Sequence, residues 1–161
     1  MILCLTGTNP YSFDRLVREV DNIARKHKVF IQTGNTNYIP ENCDFLDFEE
    51  NSKLYQRIET ADLIITQGGF GSIMDALDLH KRIIAVPRKI NFNESLDDQI
   101  ELVKYFESKN YLLGCYNITE LNKMVEDCLD GKIRFNKYTP ESMIKVSDQI
   151  EKYIHILDSK N

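Results

Sequence analysis

The sequence predicts a single α/β domain built on a doubly wound parallel sheet, and three observations lead to this prediction. Short, uninterrupted apolar runs recur along the 161 residues, as in strands that are buried on both faces of a parallel sheet. Segments with apolar residues at helical spacing separate these runs, and such alternation is typical of a sheet covered by helices on both sides. No low-complexity linker or internal repeat divides the chain. We therefore expect residues 1–161 to form one Rossmann-like domain.

Taken in order, the apolar runs predict five strands and a weaker sixth. The five are Ile2–Leu5, Val29–Gln32, Leu63–Thr66, Ile83–Val86 and Tyr111–Leu113, and the weaker one is Cys43–Phe48. Helical spacing is clearest within Phe13–Ala24, Ile73–Leu77 and Ile100–Phe106. Thr139-Pro140-Glu141 resembles an N-cap followed by proline in a first turn, so we expect residues 138–161 to form a C-terminal helix. Its many apolar positions fit packing on its own sheet or docking on a partner subunit.

Composition excludes several classes of protein. Lys plus Arg number 20 and Asp plus Glu number 25, so the net charge is −5, and a general nucleic-acid binder would carry a basic face instead. No apolar run approaches the roughly 20 residues of a membrane span, and the first residues do not resemble a secretory leader. The four cysteines are scattered without a CxxC pair or a histidine cluster. They indicate reduced packing residues of a cytoplasmic protein, with no metal site expected.

The loops that follow the predicted strands carry the candidate chemistry, because ligands of doubly wound sheets bind beyond the carboxyl ends of the strands. Gly68–Ser72 is the central piece: its glycines let a ligand approach the backbone, and the next helix directs unpaired N–H groups at it. A phosphate or diphosphate fits such a loop. Ser72 would add a hydroxyl, and Asp75 would accept hydrogen bonds from ribose. A tight strand-to-helix turn capped by Ser72 would use the same residues.

Two common nucleotide motifs are missing from this sequence. It contains no GxxxxGK segment, which counts against a P-loop nucleotide hydrolase. No GxGxxG segment follows the first strand, which weakens a dinucleotide-binding interpretation.

Five segments, in their order and spacing, resemble the C-terminal, donor-binding half of glycosyltransferase family 28. They are Gly7-Thr8, Gln32-Thr33-Gly34, Gln67-Gly68-Gly69-Phe70-Gly71-Ser72, Val86-Pro87-Arg88 and Asp97-Asp98-Gln99-Ile100-Glu101-Leu102. The resemblance runs from residue 1 to about residue 130. It is strongest to the small catalytic subunits of two-part N-acetylglucosamine transferases and their bacterial exopolysaccharide counterparts. The sequence departs from the family at Gln67 and Asp98, where relatives often carry His, and both departures bear on the identity of the sugar.

The resemblance implies an inverting GT-B glycosyltransferase that takes a sugar from a UDP-sugar without a metal or other cofactor. By analogy the Gly7-Thr8 turn and Gly71-Ser72 hold the diphosphate, Asp75 holds the ribose, Val86 and Pro87 lie near the uracil, and Asp97 and Gln99 contact sugar hydroxyls. The full set of expected UDP-sugar contacts is Gly7, Thr8, Asn9, Gln67, Gly68, Gly69, Phe70, Gly71, Ser72, Asp75, Pro87, Arg88, Asp97 and Gln99.

A catalytic base is not apparent in the chain, because no histidine lies in the strand-end loops. Asp97 and Asp98 are the candidates in this chain, and we expect the base on a membrane-anchored partner that supplies the acceptor-binding half. Such a pair would work at the cytoplasmic membrane face on a lipid-linked acceptor, and the chain without its partner is a candidate homodimer. Two alternatives stay open: a non-catalytic accessory subunit of a polysaccharide glycosyltransferase, or a Rossmann-like protein that binds another nucleotide.

Overall fold

The computed structural model describes residues 1–139, which contain six strands and five α-helices. The strands are β1 (Ile2–Leu5), β2 (Val29–Gln32), β3 (Asp44–Leu46), β4 (Leu63–Gln67), β5 (Ile83–Val86) and β6 (Leu113–Gly114). The helices are α1 (Asp14–Ile23), α2 (Asn51–Thr60), α3 (Phe70–Asp78), α4 (Ile100–Ser108) and α5 (Leu121–Leu129). Short 3-10 turns span Ile90–Phe92 and Ile118–Glu120. The helix predicted for residues 138–161 falls almost wholly outside the described residues.

All six strands pair in parallel, in the order β3-β2-β1-β4-β5-β6. The chain builds outward from β1 to β3, then returns to the middle and builds outward again from β4 to β6. The carboxyl ends of β1 and β4 therefore lie side by side where the winding reverses, with Leu5 opposite Thr66. This switch point is where doubly wound sheets bind ligands.

The predicted fold class is confirmed, and the strand bounds differ from prediction mainly at the two edges. β1, β2 and β5 have the predicted bounds, and each is buried along its whole length. The last strand begins at Leu113 rather than Tyr111, because the N–H of Tyr111 still donates to the carbonyl of Phe106 and closes the end of α4. The weak sixth run forms only the three-residue β3, which is exposed throughout.

Two apolar cores, one on each face of the sheet, hold the layers together. Buried residues of α1 and α5 pack on one face, and those of α2, α3 and α4 pack on the other. Cys4, Cys115 and Cys128 are buried, as expected of packing residues, whereas Cys43 is half-buried. Within residues 1–139, no helix is both long enough and apolar enough to cross a membrane.

A buried carboxylate fixes the connection between β2 and β3. Asp21 of α1 is 2% exposed and accepts hydrogen bonds from the Tyr38 hydroxyl (2.8 Å) and from the backbone N–H groups of Asn42 (2.8 Å) and Glu41 (3.1 Å). Burial alone would raise the pKa of Asp21, but these hydrogen bonds outweigh it and lower this pKa.

Asp21→Asn is expected to cost about 1.5–3 kcal/mol at neutral pH, because the charged acceptor is lost. The carboxylate's contribution is complete above its unfolded-state pKa of about 3.9 and is lost as pH falls through the lower folded-state value. Melting curves from pH 7 to pH 2 should therefore show the gap between the wild-type protein and the variant closing in acid. The exposed Asp44→Asn is the matched control. A gap for Asp21→Asn that stays constant with pH would contradict this assignment.

Candidate functional site

Two glycine-containing turns meet beyond the carboxyl ends of β1 and β4. Gly7 has φ +73°, a conformation that side chains rarely adopt. A Cβ atom on Gly7 would lie 1.8 Å from Nε2 of Gln67, the last residue of β4. The positive φ therefore favours glycine at this position, and a side chain there would have to displace the Gln67 amide.

A pocket of about 300 Å³ opens at this junction. Seven of the fourteen predicted UDP-sugar contacts line it: Gly7, Thr8, Gln67, Gly69, Gly71, Ser72 and Asp75. The structure thus brings the β1 turn and the first two turns of α3 around one volume. The other seven predicted contacts lie outside its lining.

The start of α3 gives the pocket an electropositive wall. Gly69 occupies the N-cap position and has no side chain that could cap the helix. The N–H groups of the first turn and the positive end of the helix dipole make such a terminus suited to an anion. A Cβ atom on Gly71 would meet no described atom within 4 Å, so the wall has open space beside it.

Asp75 lies one turn further along α3, and it is exposed at the pocket. The pKa of Asp75 is raised above its ordinary value, mainly by partial desolvation and to a smaller extent by the nearby charge of Asp78. A carboxylate in such a position accepts hydrogen bonds readily from paired hydroxyl groups.

The opposite wall comes from residues outside the fourteen predicted UDP-sugar contacts. Gln32, Phe48, Glu49, Asn51 and Leu54 complete the lining together with Leu5. Phe48 is 51% exposed, whereas the carboxylate of Glu49 is held by Arg57 at 2.5 and 3.0 Å. Phe48, Glu49, Asn51 and Leu54 follow β3, the weakest strand in the sequence, so the segment after it was not recognised as part of the site edge.

Arg88 lies behind the pocket and not in its lining. It is 1% exposed, and its guanidinium stacks on Phe13 at 4.4 Å. It donates hydrogen bonds to the carbonyls of Thr6 and Tyr11 (both 2.9 Å) and to Oε1 of Gln67 (2.6 Å). Arg88 therefore joins the loops that follow β1, β4 and β5.

The remaining predicted contacts lie outside the pocket lining, and some of them are buried while others are exposed. Val86 and Pro87 are both buried. Oε1 of Gln99 accepts from the backbone N–H of Arg88 at 3.1 Å, and a Cβ on Gly68 would lie 2.8 Å from Cβ of Gln99.

Asp97, Asp98, Asn9 and Phe70 lie nearer the surface. Asp97 is exposed, and Asp98 accepts from the N–H of Ile90 at 2.9 Å. Asn9 closes its own turn by accepting from the N–H of Tyr11, and Phe70 is 45% exposed.

The chain is similar in sequence to known glycosyltransferases. A sequence model described as the glycosyltransferase family 28 C-terminal domain matches residues 1–154. The UDP-N-acetylglucosamine--N-acetylmuramyl-(pentapeptide) pyrophosphoryl-undecaprenol N-acetylglucosamine transferase of Streptococcus mutans is 28% identical over 141 residues, covering 83% of this chain and 38% of that protein. The UDP-N-acetylglucosamine transferase subunit ALG13 of Candida albicans is 36% identical over 86 residues, covering 52% of this chain and 27% of that protein.

A solved structure shows the same fold. MurG of Acinetobacter baumannii superposes with a TM-score of 0.56 at 19% identity, over 80% of this chain and 40% of that one. The chain spans about two fifths of the length of the first curated relative it matches. The likeness therefore covers one part of those larger proteins.

Proposed function

The chain belongs to glycosyltransferase family 28, and we propose that it is the donor-binding subunit of an inverting glycosyltransferase. It would move a hexosyl or N-acetylhexosaminyl group from a UDP-sugar to a lipid-linked saccharide. The observation that carries this proposal is the pocket at the switch point, where two glycine turns and the start of α3 surround one volume. The Streptococcus mutans relative, which is named for transfer of N-acetylglucosamine to a pyrophosphoryl-undecaprenol acceptor, supports the donor and acceptor classes.

We place the diphosphate between the Gly7-Thr8 turn and Gly69–Ser72. Its negative charge fits the N–H groups and the dipole of α3. The Ser72 hydroxyl adds a donor, and the small glycines allow the backbone to approach phosphate oxygens directly.

The nucleoside follows from this placement. Asp75 is one helical turn from the phosphate region and would accept hydrogen bonds from the ribose hydroxyls. We place the uracil against Phe48 and Asn51, which line the same pocket, because an exposed aromatic ring offers a stacking surface. This differs from the sequence-based expectation for Val86 and Pro87, which are both buried.

The sugar would extend from the diphosphate toward the loop that contains Asp97 and Gln99. Because Oε1 of Gln99 already accepts from the backbone of Arg88, its NH₂ group is the part that a sugar hydroxyl would meet. Asp97, which is exposed, would supply an acceptor. A carboxylate and an amide donor together suit a pair of neighbouring hydroxyls.

Transfer requires that the anomeric C–O bond breaks and its electron pair goes to the departing diphosphate. The acceptor hydroxyl attacks from the opposite face, and its proton goes to a base. Hydrogen-bond donors aimed at the diphosphate stabilise the charge that develops there, and on this ground we expect no metal requirement. We expect the base on the partner, with Asp97 and Asp98 as the candidates within this chain.

We also propose that a membrane-anchored partner at the cytoplasmic face supplies the acceptor-binding half. The Candida albicans relative is described as a subunit, which supports a divided enzyme. The test is a transfer assay with UDP-sugar and lipid acceptor, using the purified chain with and without the candidate partner. Full turnover by the chain alone would refute the dependence.

UDP is expected to stabilise the purified chain without added metal. A ligand at 100 times its dissociation constant adds about 2.7 kcal/mol, which corresponds to roughly 5–10 °C at about 2–4 °C per kcal/mol. Asp75→Ala should shrink the shift measured by thermal denaturation in EDTA, because the ribose loses its acceptor. Asp78→Ala, one turn further along α3, is the matched control and should keep the full shift. A shift with NAD or ATP but not with UDP would favour a different nucleotide-binding protein.

A further inference from the structure

A buried charge cluster behind the pocket contains two cations and one anion. Arg88 is 1% exposed and Glu94 is 4% exposed. The Glu94 carboxylate is occupied by Arg15, whose Nε and Nη2 atoms donate to it at 2.8 Å each, and by the N–H of Lys89 at 3.1 Å. Arg15 and Glu94 thus form a bidentate pair. Arg88 therefore has no carboxylate to itself in this cluster.

The hydrogen bonds of the Arg88 side chain go to neutral acceptors. Within residues 1–139 these acceptors are backbone carbonyls and the amide oxygen of Gln67, with no carboxylate among them. Burial lowers the pKa of Arg88 to about 10, although the nearby Glu94 carboxylate, which Arg15 holds, partly offsets this effect, so the guanidinium remains protonated at neutral pH. A buried cation without a dedicated counter-charge is costly. An anion in the adjoining pocket would offset that cost.

Gln67 connects this cation to the pocket. Arg88 has only donors, so the Gln67 amide must turn its oxygen toward Arg88 and its NH₂ group away. Nε2 then lies between the two glycine turns, 1.8 Å from a Cβ built on Gly7 and 3.0 Å from one built on Gly69. Gln67 is 8% exposed and lines the pocket.

We propose that Arg88 is the buried counter-charge for the anion in this pocket, and that it acts as a positioning residue by holding Gln67 with its NH₂ group directed at that anion. The inference rests on the proposed function, which makes the anion the diphosphate of a UDP-sugar. Arg88 does not touch the ligand. Its charge reaches the ligand through the polarised amide of Gln67.

Gln67→Glu tests the proposal most sharply. The new carboxylate would pair with Arg88 and cancel its charge, and it would present an oxygen where the amide presented a donor. Calorimetry should show UDP affinity falling at least tenfold, since a hydrogen bond to a charged group contributes about 10- to 100-fold in binding. Uridine affinity should change less than about twofold. The melting temperature of the ligand-free variant should stay at or above the wild-type value, because Arg88 gains a partner.

Gln67→Met is the companion variant, since it keeps the bulk of the side chain and the charge of Arg88 but removes the donor. Its loss of UDP affinity should be smaller than that of Gln67→Glu. Equal changes of UDP and uridine affinity in Gln67→Glu would leave the preference for UDP over uridine unchanged. That result would overturn the inference while leaving the proposed function intact. If the wild-type chain binds neither UDP nor uridine, both the inference about Arg88 and the proposed function are wrong.

Discussion

Arg88→Met is expected to lower the free energy of unfolding by about 3–5 kcal/mol, a loss typical of breaking a buried, hydrogen-bonded charge network. Methionine fills much of the space but donates no hydrogen bond. The carbonyls of Thr6 and Tyr11 and the amide oxygen of Gln67 would then be buried without their present donor, and each unpaired group is costly. Urea denaturation monitored by circular dichroism measures the change.

Arg25→Met is the matched control for this experiment, because Arg25 is exposed at the end of α1. Its effect should stay within about 0.5 kcal/mol, as for ordinary surface substitutions. A loss below about 1 kcal/mol for Arg88→Met would show that the three strand-end loops do not depend on this guanidinium.

Gly71→Ala is expected to separate binding from stability. The added Cβ meets no described atom within 4 Å, and alanine favours a helix over glycine by up to about 1 kcal/mol. The ligand-free variant should therefore be at least as stable as the wild-type protein. In the complex the methyl group would enter the space that we assign to the diphosphate. An overpacked contact costs about 1–3 kcal/mol, so titration calorimetry should show UDP affinity falling roughly 5- to 150-fold.

Gly131→Ala provides the opposite control. Gly131 follows α5 with φ +72° and also has open space around a built Cβ. Alanine there adopts a strained conformation, so stability should fall by about 1 kcal/mol while UDP affinity stays unchanged. Wild-type affinity in Gly71→Ala would place the diphosphate elsewhere.

The sequence was a good guide to the fold where burial on both faces produced continuous apolar runs, as in β1, β2 and β5. It was a poor guide at the edges. β3 is exposed along its three residues, and in α2 only Ile58 is buried, so neither element has a strong apolar pattern. In α5 the buried Leu121, Val125 and Cys128 do follow helical spacing, and this pattern was available in the sequence.

Within the candidate site, the predicted residues that line the pocket are mainly those that local backbone chemistry marks in the sequence. The glycine turns at Gly7 and Gly69–Ser72 could be predicted because a turn that brings the backbone close to a ligand requires glycine. The burial of Arg88 could not be predicted from the sequence. Arg88 donates to the carbonyls of Thr6, Tyr11 and Glu94, and backbone carbonyls carry no sequence signal. The parallel topology is what brings these carbonyls together around the guanidinium. The Phe48 wall was missed for a related reason, because its strand is too short to mark the loop that follows.

One calorimetric comparison tests the central claim most directly: titration of the wild-type chain with UDP and with uridine, both in EDTA. If backbone donors around residue 70 hold a diphosphate, UDP should bind without metal and at least tenfold more tightly than uridine, as expected for charge-assisted hydrogen bonds. Equal affinities, or no heat with UDP at millimolar concentration, would contradict the account.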